Sequence, residues 1–197
     1  MARMTRLPRP VPADLDADQR ALYDTITGGP RARGPQRFRL TDDDGRLNGP
    51  FNAMLVAPPL GHALQGLGAA IRYETTLDVR VRELAILAVA GKWDSAFERH
   101  GHEPIARDAG VSEDQLAALR AFTMPSDLAD DAERCALDVV FALLREEDLD
   151  DAAYAEAVST IGNRMVFELT ALVGYYATLA LQLRVFRVSP PAESGHP

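Results

Sequence analysis

The segment that most limits how this chain can fold is a long apolar run near its middle. After Asp78, whose carboxylate can accept a hydrogen bond from the first turn of a helix, the sequence reads VRVRELAILAVAGKW. Apolar side chains would cover most of the circumference of such a helix, so it is stable only if other elements surround it. We therefore predict a central helix here, with the rest of the fold packed around it.

The remaining sequence has the periodicity of helices, interrupted by Gly, Pro and capping residues, and no alternating segment is long enough to predict a strand. We predict an all-α fold of eight or nine helices. Candidate N-caps are Asp14 or Asp16, Asp78, Ser95 and Ser112. The predicted helices lie near 15–26, from 50, from 58, at 79–93, 95–109 and 112–122, near 139–144, at 152–161, and from 162 to about 186.

The helix that begins at Pro58 has several apolar residues at helical spacing. They share one face of the helix, as in an amphipathic segment. These residues are Leu60, Ala63, Leu64, Leu67 and Ile71.

A chain of 197 residues with 47% hydrophobic content can bury a sizeable core. We predict one helical domain over residues 14–188, an extended arm at 1–13 and a flexible tail at 189–197. Residues 28–48 are rich in Gly, Pro, Arg and Asp and lack periodicity. Because a loop of this length inside a compact domain is usually functional or mobile, we expect it to form a lid or an oligomer arm.

The charge and the cysteine count exclude several classes of function. The formal net charge is −8, a field that repels phosphate backbones, so we exclude nucleic acid as a partner. The basic N-terminal stretch lacks the apolar run of a secretory signal, so we expect a cytoplasmic protein. Glu168 and polar residues interrupt the apolar segment 165–183, so we expect a buried helix there and no membrane partner. Cys135 is the single cysteine, which excludes an intrachain disulfide and a C-x-x-C pair.

The central region also carries charged residues on helices that otherwise look buried, which is costly unless they have partners. Glu98 and His102 are four residues apart and share one helical face. Glu83 and His102 lie equally far from the corner at Lys92 and Trp93, ~14 Å from it at the standard helical rise. If the two helices form an antiparallel hairpin, Glu83 and His102 meet across it.

A carboxylate that faces an imidazole fixes its tautomer and prepares it for proton transfer near neutral pH. Other interpretations of the same residues stay open. In one alternative, Glu98 has no role beyond capping its helix together with Ser95. His102 can be a structural histidine held by Glu83. A zinc site of Glu98, His100 and His102 is a further alternative, although His100 projects to a different helical face.

The run TLDVRVRELAILAVAGKWDSAFERHGHEPIARDAG, residues 76–110, closely resembles the central motif of carboxymuconolactone decarboxylase-like proteins, whose superfamily also contains alkyl hydroperoxidase D. GRLNGPFNAMLVAPPLGHALQGLG before it and ELTALVGYYATLALQL after it look like flanking segments of the same family. The likeness covers about residues 16–188. It implies the helical fold of that superfamily and a symmetric homo-oligomer, a trimer or hexamer.

In the peroxidase branch of that superfamily, a Glu, a C-x-x-C pair and a His relay protons to a reactive thiol. Glu83 and His102 match the outer members, whereas Ser95 and Glu98 stand at the two cysteine positions, so the thiol chemistry has no thiolate here. The pattern F-E-x-x-x-H at 97–102 is similar instead to the decarboxylase branch, which implies that the carboxylates and the His are acid–base groups.

The resemblance thus implies a carboxy-lyase or isomerase that acts on a small carboxylated lactone or enol. Decarboxylation needs a positioned acid and a pocket that tolerates an anion, so neither a metal nor an organic cofactor is expected. His102 would donate or accept the proton, Glu83 would orient His102, and Glu98 would be a second acid–base group.

The candidates for substrate binding are two arginines and one loop. Arg82 or Arg80 could hold a substrate carboxylate, although an ion pair with solvent or another subunit is the competing interpretation. The loop with Asn48 could close the pocket. Two other functions stay open: a helper in oxidant defence without the thiol pair, and a non-catalytic helical oligomer for binding or scaffolding.

Overall fold

The computed structural model describes residues 5–32 and 39–190, and this part of the chain is all-α, as predicted. It has no strand beyond an isolated bridge between Thr41 and Leu47. Short 3-10 helices occupy Pro12–Asp14 and Pro30–Ala32. The α-helices are α1 (Ala17–Gly28), α2 (Pro50–Met54), α3 (Pro58–Tyr73), α4 (Val79–Lys92), α5 (Ala96–Asp108), α6 (Glu113–Arg120), α7 (Asp131–Arg145) and α8 (Asp151–Phe186).

The predicted N-caps are confirmed. Asp16 and Ser112 each form a complete capping box, with Gln19 and Gln115 respectively. Asp78 accepts a hydrogen bond from a backbone N–H of the first turn of α4. Each such bond satisfies an N–H group that has no partner inside the helix, so the boundaries follow directly from the sequence.

The α4 helix lies at the centre of the fold, as its sequence predicts. Every residue from Arg82 to Ala90 is buried, and α5, α6, α7 and α8 all pack against α4. After α4 the chain turns within Trp93–Ser95, where Asp94 adopts a left-handed conformation with φ 47°. α5 therefore returns antiparallel to α4, and the two helices form the predicted hairpin.

The α3 helix buries only part of the face that the apolar spacing marked, because Ile71 is buried and Leu64 packs against the core while other residues of that face are exposed. Leu60 and Leu67 are 57% and 43% exposed, and the buried residues include Gly61 and Gly68. A side chain at position 61 would collide with Leu22 and the Met54 backbone, so the absence of side chains here lets α3 approach α1 and α2 closely. The α3 helix packs inward through this small-residue face, and most of its leucine stripe faces outward.

The α8 helix contains the break that the sequence predicts at Gly162. This glycine has φ 78° and ψ 155°, outside the helical region, so two helical parts meet there. Among the described residues α8 alone is long and apolar enough to cross a membrane, but half of its apolar window is buried inside the protein. That burial is typical of a core helix.

Three of the sequence-based expectations fall partly on residues outside the described ranges, and the first is the arm at 1–13, which includes 1–4. The 28–48 loop includes 33–38, and the tail at 189–197 includes 191–197. In the described part of the N-terminal arm, the Arg6 backbone N–H donates to the Phe186 carbonyl at the end of α8, and Asn52 Nδ2 donates to the Pro8 carbonyl. The domain division at 14 and 188 stays a prediction.

We expect Gly162→Ala to lower the free energy of unfolding by about 1–3 kcal/mol, because its backbone conformation is accessible to essentially no residue but glycine. Gly174→Ala on the same helix is the matched control. Gly174 is exposed, and a Cβ there would meet no atom within 4 Å, so the alanine should stabilise α8 by up to about 1 kcal/mol. Urea denaturation of both variants measures the difference; equal effects would show that the break does not depend on the glycine.

Candidate active site

The side chains of Glu83 and His102, which the sequence predicts to meet across the hairpin, are hydrogen-bonded. Glu83 Oε2 lies 2.6 Å from His102 Nδ1, and both residues are buried. Because an ionised carboxylate only accepts, the imidazole carries its proton on Nδ1 and directs Nε2 away from Glu83. The ring of Tyr176 packs edge-on against the imidazole, with 5.3 Å between ring centres. His102 is thus held in one tautomer and one orientation.

His102 and two arginines keep Glu83 ionised. Arg82 Nε lies 3.4 Å from Glu83 Oε1, and Arg82 Nη1 donates to the Arg72 carbonyl at 3.1 Å. Burial by itself raises the pKa of Glu83. The charge and hydrogen bond of His102, followed by the charges of the two arginines, outweigh burial and hold the pKa below its ordinary value of 4.5. A fully buried carboxylate is therefore charged at neutral pH.

Glu98 stands on the other side of the imidazole. Its Oε2 lies 3.5 Å from His102 Nε2, and its Oε1 is buried without a hydrogen-bond partner among the described residues. Ser95 Oγ accepts from the Glu98 backbone N–H at 3.4 Å, but the Glu98 side chain does not return to Ser95. Glu98 is thus more than a helix cap, because its carboxyl group faces His102.

The pKa values of the two carboxyl groups are shifted in opposite directions. Burial raises the pKa of Glu98 above 4.5; the charge of His102 lowers it, and the ionised Glu83 raises it again. Glu83 and Glu98 both face His102. The opposite shifts of their pKa values assign Glu98 as an acid and Glu83 as a charged group that orients the imidazole.

A cavity of about 100 Å³ adjoins His102 and Glu98. It lies between α5, the C-terminal part of α8, the last turn of α3 and the segment that joins α1 to α2. One part of its wall is apolar and the other carries charged and hydroxyl groups. Its lining residues are Arg31, Leu40, Pro50, Phe51, Arg72, Tyr73, Phe97, Glu98, Gly101, His102, Ile105, Tyr175, Tyr176 and Leu179.

Several lining residues were missed by the sequence reasoning. Burial raises the pKa of Tyr175 to about 12 and that of Tyr176 well above 10, so both hydroxyls keep their protons at neutral pH. The adjacent pair GYY in an otherwise apolar helix was a signal for these tyrosines, because buried hydroxyls need a polar neighbour. Arg31 and Arg72 carried no comparable signal, since only the tertiary fold brings them to the cavity.

The structure does not bring the predicted substrate-binding residues to the cavity. Arg80 forms an ion pair with the buried Glu133, with 2.8 Å between Nε and Oε2. Arg82 forms an ion pair with Glu83. Asn48 Oδ1 accepts from Arg9 Nη2 at 2.7 Å, so its amide ties the N-terminal arm to the α1–α2 segment. The physical reason is that all three side chains already have partners within the protein, which are the buried Glu133 and Glu83 for the two arginines and Arg9 for Asn48.

The residues next to Asn48 do reach the cavity. Gly49 precedes α2 with φ 60°, and a Cβ on it would overlap the Phe97 ring. Pro50 and Phe51 then line the cavity from the first turn of α2. The glycine therefore allows α2 to seat directly on the aromatic ring that begins α5.

The described residues include no group of three or more His, Cys, Asp or Glu side chains arranged to hold a metal ion. Cys135 lies on α7, partly buried and away from the cavity, and burial raises the pKa of its thiol.

Residues 58–142 match the sequence profile of the Carboxymuconolactone decarboxylase family. This range begins with α3 and contains the whole α4–α5 hairpin. No curated protein sequence matches the chain at a significant level.

Solved structures show a similar fold. An uncharacterized peroxidase-related protein with an alkylhydroperoxidase AhpD core, from Ralstonia eutropha, is 15% identical with a TM-score of 0.72, over 98% of this chain and 95% of its own. A peroxidase-related protein from Silicibacter is 14% identical with a TM-score of 0.70, over 96% and 93%. The debrominase Bmp8 in complex with 2,3,4-tribromopyrrole is 16% identical with a TM-score of 0.65, over 98% and 95%.

We expect Glu98→Gln to increase the free energy of unfolding at neutral pH. The pKa of Glu98 is higher in the folded protein than in the unfolded chain, so the folded state binds the proton more tightly. Stability is therefore lost as pH rises from about 4.5 through the folded pKa. Glutamine has the same shape without the charge and should remove this loss of stability. Denaturation of wild type and variant at about pH 5 and about pH 8 measures the difference in their free energies of unfolding.

Glu83→Gln is the matched comparison, and we expect it to decrease the free energy of unfolding at neutral pH. The pKa of Glu83 is lowered by folding, so its stabilising contribution is complete above about pH 4.5 and is lost as pH falls through the folded pKa. At neutral pH the substitution leaves Arg82 and His102 without their buried counter-charge, at a cost of about 3–5 kcal/mol. If both variants changed stability with the same sign at neutral pH, the assigned protonation states would be wrong.

Proposed function

Because the chain belongs to the carboxymuconolactone decarboxylase and alkyl hydroperoxidase D-like superfamily, we propose that it is a cofactor-free acid–base enzyme, a carboxy-lyase or isomerase for a small carboxylated lactone or enol. The observation that carries this proposal is the position of His102. It lies between an ionised Glu83 and a Glu98 with a raised pKa, and it borders a cavity. A hydrogen-bonded pair alone would suit a structural role, but the cavity gives it access to a ligand.

In a decarboxylation, the bond between a ring carbon and the leaving carboxylate breaks and carbon dioxide departs. The electron pair is delocalised toward the lactone carbonyl, and a proton must then reach carbon. The imidazolium form of His102 would deliver this proton from Nε2, because Nδ1–H is bonded to Glu83, and the ring would then return to the neutral Nδ1–H tautomer. The protonated carboxyl of Glu98 would donate to the oxygen on which negative charge develops. Glu83 keeps its charge throughout and stabilises the imidazolium form.

The size of the cavity supports a small substrate. A water molecule needs roughly 10–15 Å³ of such space, so a cavity of about 100 Å³ holds roughly seven to ten non-hydrogen atoms. Bmp8, which has a similar fold, is described with a halogenated pyrrole, and this supports a small ring as the ligand. Apolar lining residues such as Phe97 and Leu179 suit a ring, and the charged and hydroxyl groups of the lining suit its carboxyl groups.

A peroxidase-like function is the second candidate, since two neighbours of similar fold are described as peroxidase-related. It would need a reactive thiol. Ser95 and Glu98 occupy the positions of the C-x-x-C pair, and burial raises the pKa of Cys135, which disfavours the thiolate. Among the described residues the acid–base cluster, unlike this thiol, is placed at a cavity. Peroxide consumption that Cys135→Ser abolishes would favour the peroxidase function over ours.

We expect turnover of a panel of carboxylated lactones, followed by carbon dioxide release, to fall at least about 100-fold in His102→Ala, because the proton-transfer group is lost. His62→Ala is the matched control, since His62 is exposed on α3, and it should retain wild-type activity. Unchanged activity of His102→Ala would remove the proton-transfer role. Deuterium incorporation into the product from heavy water provides a second readout of the same step.

We also propose that the protein is a cytoplasmic homo-oligomer, a trimer or hexamer. Leu60 and Leu67 on the outer face of α3 are largely exposed, and Val56 before that helix is 58% exposed. Apolar side chains grouped in this way usually mark a surface that another protein covers, and a second copy of the chain is the expected occupant.

We expect Leu60→Glu combined with Leu67→Glu to dissociate the oligomer into monomers, because burying two carboxylates in an apolar contact is costly. Ala155→Glu, which adds a charge at an exposed position of α8, is the control and should leave the assembly intact. Analytical ultracentrifugation measures the mass of each species. A wild-type protein that sediments as a monomer would contradict the proposal.

A further inference from the structure

Two guanidinium groups line the cavity together with the acid–base residues. Arg31 comes from the short helix Pro30–Ala32, and Arg72 comes from the last turn of α3. The charge of Arg31 acts on Glu98, and the charge of Arg72 acts on Glu83. Each of the two cations therefore lies near one of the two carboxyl groups of the site, although neither arginine belongs to the α4–α5 hairpin.

The charge balance of the cavity favours an anion. Among its described lining residues the only acidic side chain is Glu98, and burial favours the neutral form of that carboxyl. Arg31 and Arg72 keep their positive charges at any physiological pH. The cavity is therefore locally positive in a chain whose formal net charge is −8. A local field of this sign attracts a small anion against the field of the whole molecule.

Arg31 is held in position by its neighbours. Its Nε donates to Oε1 of the buried Gln65 at 3.3 Å, and its guanidinium carbon lies 5.4 Å from the centre of the Phe51 ring. A Cβ on Gly68 would overlap the Tyr175 hydroxyl and come within 2.7 Å of Arg31 Nη2. Glycine at 68 therefore leaves the space in which the tyrosine hydroxyl and the guanidinium come together.

Gln65, Gly68 and Arg72 are spaced by three and four residues, so they share one face of α3. This face of α3 thus holds Arg31 through Gln65 and leaves room for it at Gly68. The second cation, Arg72, belongs to α3 itself. A cation that is fixed before the ligand arrives loses less side-chain entropy on binding. This explains a feature that apolar packing alone does not, namely a buried glutamine on the inward face of α3.

We propose that Arg31 and Arg72, with the Tyr175 hydroxyl, bind the carboxylate of a small planar organic acid and so set the substrate class of the cavity. This deepens the proposed function and rests on it for the reaction, but binding itself can be tested with a molecule that does not react. The planar guanidinium fork matches a carboxylate with two parallel hydrogen bonds. A ring attached to that carboxylate would then lie against Phe51 and Phe97, within reach of His102.

Isothermal titration of the full chain with benzoate tests the proposal, with benzamide as a neutral molecule of the same shape. We expect benzoate to bind and benzamide to bind at least about tenfold more weakly, a difference of about 1.4 kcal/mol. Arg31→Gln and Arg72→Gln should each weaken benzoate binding at least about tenfold. Arg134→Gln removes an exposed arginine on α7 and should leave the affinity unchanged. Thermal unfolding of each variant checks that it is folded.

Further variants separate this inference from the proposed reaction. Arg72→Lys keeps the charge but loses the fork, and we expect benzoate affinity between those of wild type and Arg72→Gln. His102→Gln should still bind benzoate although it no longer turns over substrate. If wild type binds benzoate but catalyses no reaction, the proposed reaction is wrong and the carboxylate site is still supported. Inorganic phosphate that binds as tightly as benzoate would overturn the carboxylate assignment. Benzoate affinity that is equal in wild type, Arg31→Gln and Arg72→Gln would overturn the role of the arginines.

Discussion

The structure depends on how a completely buried carboxylate is compensated. An ionised group inside a helix bundle is tolerated only when its charge and hydrogen-bonding capacity are met, and Glu83 meets both requirements through His102 and Arg82. The Glu83–His102 contact ties α4 to α5, and Arg82, which also donates to the Arg72 carbonyl, ties α4 to the last turn of α3. The polar cluster and the central packing are therefore one arrangement, because α4 contributes the carboxylate and also the apolar surface that the other helices cover.

Much of this arrangement could be predicted because it is local or symmetric. The apolar circumference of α4, the caps at Asp78 and Ser95, and the break at Gly162 each depend on a few neighbouring residues. The contact of Glu83 with His102 follows from their equal distances to one turn. The inward face of α3 could not be predicted, because apolar spacing alone does not reveal that glycines at 61 and 68 allow closer packing than leucines do.

The arginines illustrate the same limit. Arg80 and Arg82 lie beside the motif in sequence, so they were the natural candidates for a ligand, yet Glu133 and Glu83 bind them within the protein. Arg31 and Arg72 lie on other elements and reach the cavity only through tertiary packing. The two arginines nearest the motif in sequence therefore do not line the cavity, whereas the two more distant ones do. For Glu98 the spacing left both a cap and an acid open, and the orientation of its side chain distinguishes the two.

The origin of the cavity wall has an evolutionary consequence. The acid–base groups come from the α4–α5 hairpin, whereas Arg31, Pro50 and Phe51 come from the separate segment between α1 and the first turn of α2. Insertions and substitutions in that segment would alter the shape and charge presented to a ligand without disturbing the buried pair. Substrate specificity and proton transfer are therefore encoded by separate segments, so related proteins can differ in substrate while they keep the same proton-transfer residues.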